Sequence, residues 1–117
     1  MRASDGTVLG TFTVGVAPLG IAFDGANVWV ANRNSNTVDE LRASDGTVLG
    51  TFTAPGGPCG VAFDGTYVWV SGDSYLLVLR ASDGTQVALH AVQSAGLAFD
   101  GAYTWTPVFN GSRLLKF

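Results

Sequence analysis

Charge is scarce in this chain. Only 13% of its 117 residues are Asp, Glu, Lys or Arg, against 47% hydrophobic residues, and the net charge is −3. The six Lys and Arg residues are scattered singly, so no basic stripe follows a phosphate backbone and nucleic acid is not expected as a partner. Cysteine occurs once, at Cys59, which excludes an intrachain disulfide and any cysteine-built metal cluster within one chain. Histidine also occurs once, at His90. No apolar run approaches the roughly 20 residues needed to span a bilayer, so no membrane partner is expected. The first residues match neither a signal nor a transit peptide; the chain is expected to be soluble, with its compartment left open.

Repetition is what the chain has instead. The twelve residues RASDGTVLGTFT occur unchanged at 2–13 and 42–53, and a worn copy starts at Arg80. Three repeats follow, 2–41, 42–79 and 80–117, leaving only Met1 over. Within them GIAFDGANVWV (20–30) returns as GVAFDGTYVWV (60–70) and GLAFDGAYTWT (96–106). Such identity, extending through turn positions that packing would let drift, points to recent duplication or a consensus-like sequence.

Each repeat carries two Asp-Gly pairs between β-forming residues, the FDG pair (24–25, 64–65, 100–101) and the ASDGT pair (5–6, 45–46, 83–84). Asp-Gly between alternating apolar residues is a strong hairpin signal, because Gly accepts positive φ and Asp tolerates it. Four strands per repeat are therefore predicted, in the middle copy near 60–63, 67–71, 75–81 and 85–91, and no helical period competes. If each FDG turn has two loop residues, Gly20 faces Trp29, Gly60 faces Trp69 and Gly96 faces Trp105. These six residues are predicted as structural core, the glycine leaving room for the indole.

Units of about 40 residues with four strands suit a β-propeller blade or, since there are three, a β-trefoil. The segments RASDGTVLGTFTVG (2–15), PLGIAFDG (18–25) and VWVANRNSNTV (28–38) resemble the YVTN-type and NHL-like bacterial propeller repeats. The resemblance covers essentially the whole chain and implies an all-β propeller, with the glycine-containing segment as the inner strand and the aromatic-valine segment next to it. Three blades do not close a ring, because propellers have 4 to 8. Segment 3–14 is predicted to be an outer strand completing another blade, so that two copies form a six-bladed homodimer with strand exchange.

The resemblance also sorts the loops by face. The turns inside the Asp-Gly hairpins lie at the bottom and barely vary, whereas the loops at the top differ in every copy, which makes the top the candidate binding face. Its candidate ligand-binding residues are Asn32, Arg33, Asn34, Asn36, Asp73, Tyr75, Asn110 and Arg113, for a small-molecule, glycan or protein ligand, with the two arginines suited to an anion. Six of the nine acids are turn-forming Asp residues of the Asp-Gly pairs. Asp39 and Glu40 are predicted on a solvated strand, and His90 at the surface of an outer strand without a nucleophile or carboxylate beside it. No catalytic residue, metal site or cofactor is expected. The functional expectation is a non-enzymatic, self-assembling scaffold. The alternative is a metal-dependent enzyme like the streptogramin lyases, which the propeller resemblance brings to mind but a lone outer-strand histidine does not match, or a fragment of a larger propeller enzyme.

Overall fold

The computed structural model describes residues 10–91, 96–107 and 113–117. These form eleven strands in three antiparallel sheets. The first sheet has the order β1 (Pro18–Phe23), β2 (Asn27–Asn32), β3 (Thr37–Arg42), β4 (Val48–Thr53). The second repeats it with β5 (Gly60–Phe63), β6 (Tyr67–Ser71), β7 (Leu76–Arg80), β8 (Gln86–His90). The third has three strands, β9 (Ala98–Phe99), β10 (Thr104–Pro107) and β11 (Leu114–Lys116). Among the described residues, 10–14 belong to no strand; the rest of the predicted outer strand, and all of the RASDGT copy at 2–7, lies outside them.

The FDG turn is wider than the two residues expected. Asp24 Oδ1 accepts the backbone N–H groups of Ala26 (3.0 Å) and Asn27 (2.7 Å), and the Asp24 N–H closes onto the Asn27 carbonyl (3.0 Å). A four-residue turn capped by its own aspartate results, with Gly25 at φ 99° where a side chain would be strained. The register therefore shifts: Ala22 lies opposite Trp29 and Gly20 opposite Ala31. Ala62 and Ala98 likewise face Trp69 and Trp105. The predicted glycine–tryptophan pairs are thus corrected to alanine–tryptophan pairs.

The glycines answer a different demand. The inner strands β1, β5 and β9 converge, and a Cβ on Gly20 would lie 2.6 Å from the Cys59 carbonyl oxygen and 3.0 Å from Gly60 Cα. A Cβ on Gly60 would in turn meet Gly96 Cα at 3.3 Å. Gly20 and Gly60 let three sheets crowd together at their inner ends, a close approach that a side chain at either position would block.

Packing between sheets follows from strand alternation. Trp29, Ala31 and Val38 of the first sheet share one buried cluster with Val61, Val68, Val70, Leu77 and Leu79 of the second. Phe52 stacks on Trp29 at 5.6 Å and occupies the space a methyl on Gly84 would need. In the second sheet, His90 stands opposite Leu76 as Phe52 stands opposite Val38. It stacks on Trp69 (6.3 Å, 8°) and lies 5.0 Å from the Phe117 ring. His90 is a half-buried aromatic wedge, which corrects the expectation of a surface residue.

Candidate functional site: the top loops and the open sheet faces

Two kinds of surface remain once the sheets are stacked: the variable loops at the top, and the broad faces of the first and third sheets. At the top, Arg33 in the β2–β3 loop forms a two-pronged ion pair with Asp73 in the β6–β7 loop, both N–O distances being 3.1 Å. Its Nη1 also donates to the Gly57 carbonyl (3.1 Å), while the Gly57 N–H donates to Asn36 Oδ1 (3.0 Å). The Asp73 N–H donates to the Gly56 carbonyl (3.0 Å). Arg33, Asn36 and Asp73 are thereby brought together, and they clamp the first sheet to the second. The anion that the Arg33 guanidinium grips is the Asp73 carboxylate of the same chain.

The other residues predicted at this face separate. Asn34 is exposed. Asn32 is fully buried at the end of β2, donating through Nδ2 to Asp39 (3.0 Å) and Thr37 (3.3 Å). Tyr75 is half-buried, its ring filling the space a methyl on Gly72 would occupy. Its hydroxyl has no hydrogen-bond partner among the described residues, and burial, with the charges of Cys59 and Asp73 nearby, pushes its pKa up to about 12. Arg113 is exposed, and Asn110 lies outside the described residues. Among the described residues no three His, Cys, Asp or Glu converge as a metal site would require.

Asp39 and Glu40 are buried, against the expectation of a solvated strand. They sit on β3, which is covered by β4 on one edge and β2 on the other. Asp39 accepts hydrogen bonds from Thr51 (2.7 Å), Asn32 (3.0 Å) and the Gly15 N–H (3.2 Å). Glu40 accepts one from Asn27 Nδ2 (2.9 Å), yet burial, aided by the Asp24 charge, holds its carboxyl above the usual range. The repeat comparison held the right signal, because the counterparts Leu77 and Val78 are apolar and buried, and the acids keep that burial by finding donors.

The broad faces show the clearest departure from a finished surface. Ile21 on β1 is 68% exposed, whereas Val61, the same position one repeat later, is 9% exposed. Around Ile21 lie Phe12, Val28, Val30, Leu41 and Gly46, lining a cavity of about 440 Å³. On the far side of the molecule Leu114 is 64% exposed, where its counterparts Val38 and Leu76 are wholly buried. Trp105, held by its Nε1–H donating to Asp100 Oδ2 (2.7 Å), stands on the same side as Leu114 with Lys116 over its ring at 5.5 Å.

The structure aligns over 86% of the chain with BamB from Moraxella catarrhalis (18% identity, TM-score 0.74). It aligns over 88% of the chain with hydrazine synthase from Kuenenia stuttgartiensis (19%, TM-score 0.71), and over 84% with the WD40 repeats of RRP9 (19%, TM-score 0.69). The fold is part of a β-propeller. The chain spans 33% of the first two of these structures and 36% of the third. No family model matches it, and no characterised protein sequence does. In a propeller each sheet is a blade lying face to face with the next around a central axis, so the exposed sides of the first and third blades are of the kind that neighbouring blades cover in a closed ring.

Proposed function

We propose that the chain is a non-enzymatic scaffold that builds a propeller ring by pairing with a second copy, and that presents its top loops to a binding partner. The observation that carries this reading is the exposure of Ile21 at a position where Val61 is buried. An apolar face of this kind, open to water, is a recognised mark of an association surface. Two chains of three blades give six, within the usual range for closed rings. The RASDGTVLGTFT sequence at 2–13 is identical to the one whose second half forms β4, so it has the side chains needed to add a fourth strand to β11 of the other copy. At the top, Arg33, Asn36 and Asp73 form a fixed polar platform from which Asn34 projects, suited to a polar protein surface.

Light scattering tests the assembly directly. Twice the 12.1 kDa chain mass is expected at micromolar concentration, and a monodisperse 12.1 kDa species across that range overturns it. A second reading, in which further blades of a longer chain cover the same faces, draws support from the one-third coverage of the propellers above. A strictly monomeric 117-residue chain favours it.

A further inference from the structure

We infer that the cavity on the open face of the first blade is a tryptophan socket, and that its occupant is Trp105 of a second copy. This rests on the proposed pairing and names the contact that makes it. The template is the junction the molecule already contains. There, Trp29 is wholly buried in a cluster with Val61, Val68, Val70 and Leu79, and stacks on Phe52. One repeat earlier, Ile21, Val28, Val30 and Leu41 are the same four positions, and they line the open cavity.

The aromatic wedge is also in place. A methyl on Gly46 would run into the Phe12 ring just as a methyl on Gly84 would run into Phe52. A Cβ on Gly10 would meet Phe12 at 2.7 Å, and one on Gly50 would meet Phe52 at 2.8 Å. Phe12 is therefore set as Phe52 is, while remaining 55% exposed. Phe52 has an indole against it and Phe12 does not.

The complementary half lies on the third blade. All three tryptophans are oriented by one device, an Nε1–H donated to the FDG aspartate: Trp29 to Asp24 (2.8 Å), Trp69 to Asp64 (2.8 Å) and Trp105 to Asp100 (2.7 Å). Trp105 is thus prepared in the orientation that docks at the internal junction, and among the described residues no ring stacks on it. At the inner end of the same face, a Cβ on Gly96 would meet nothing within 4 Å, whereas Gly20 and Gly60 are each closed in by the following blade. The chemistry of both halves is this chain's own. Because the two faces differ, the contact is heterologous, and it closes a two-membered ring only when each copy gives one face and receives the other.

A complementation experiment tests the pairing of faces. Ile21→Asp places a charge in the socket, and Leu114→Asp places one beside Trp105. Both residues are more than 60% exposed in the single chain, so each monomer folds. Each variant alone is expected to raise the dimer dissociation constant about a hundredfold in sedimentation equilibrium. Mixed in equal amounts they are expected to recover a heterodimer held by one junction, the intact Trp105 face of the Ile21→Asp chain in the intact socket of the Leu114→Asp chain, while the second junction, where the two aspartates meet, stays open. Trp105→Ala should behave as Leu114→Asp does, including rescue by the Ile21→Asp chain. A parent that is itself monomeric removes both the pairing and the socket. A parent that dimerises while either aspartate variant or Trp105→Ala dimerises equally well overturns the socket alone, as does failure of the mixture to recover a heterodimer.

Discussion

Asp24 and Glu40 show how differently two acids of one blade are used. At Asp24, burial raises the carboxyl's pKa, but the Trp29 indole N–H and the Asn27 and Ala26 amides outweigh it and leave it below its ordinary 3.8. That stabilisation is present above pH 3.8 and is lost as pH falls through the lowered folded value. Glu40 has the opposite sign. Burial holds its proton more tightly in the folded than in the unfolded chain, so its ionisation above about pH 4.5 weakens the fold. Glu40→Gln keeps an acceptor for Asn27 Nδ2 and removes the charge. It should raise stability at pH 7 by up to about 1 kcal/mol, the difference vanishing near pH 4. Urea melts at the two pH values check this, and an equal effect at both would refute it. Ala17 carries a backbone cost of another kind: its φ of 56° is left-handed, where the next repeat has Gly57 at φ 70°. Ala17→Gly should therefore stabilise the chain by about 1 kcal/mol, a gain that a thermal melt would register.

At the scale of the element, the strand pattern was legible because each strand is short, alternating and bounded by Asp-Gly; the predicted 60–63 and 67–71 are β5 and β6 as found. The register was not legible from turn propensity alone. It depends on Asp24 Oδ1 reaching two backbone amides, which widens the turn and moves alanine opposite tryptophan. The role of Gly20 and Gly60 was hidden for a similar reason, since each makes room for backbone of the neighbouring blade. The top cluster was named residue by residue, but the Arg33–Asp73 pair spans 40 positions and no local pattern announces it. Pro107 ends β10 and has no N–H to donate, so β9 keeps only the pairs at Ala98 and Phe99. With three strands and this shortened ladder, the third blade should exchange its amide hydrogens well before the first two in dilute solution. Uniform protection across the three blades in a hydrogen-exchange experiment would contradict that.

For the whole molecule, stability and association are one quantity if the open faces meet. The single chain keeps Ile21, Phe23 and Leu19 at least 60% exposed on one side and Leu114 on the other, and among the described residues its hydrophobic core cluster lies at the junction of the first two blades. Binding a second copy adds RT ln(1 + [L]/Kd), about 2.7 kcal/mol when the concentration is a hundred times Kd. For a domain of this size that gain corresponds to a shift in Tm on the order of 10 °C. Calorimetric scans of the parent over a hundredfold range of concentration should show Tm climbing by several degrees, while Ile21→Asp, with its socket blocked, should melt at one temperature throughout. A parent whose Tm ignores concentration, at values where light scattering reports dimer, would mean that the chains touch without sharing a core, and that the apolar faces are covered by something other than each other.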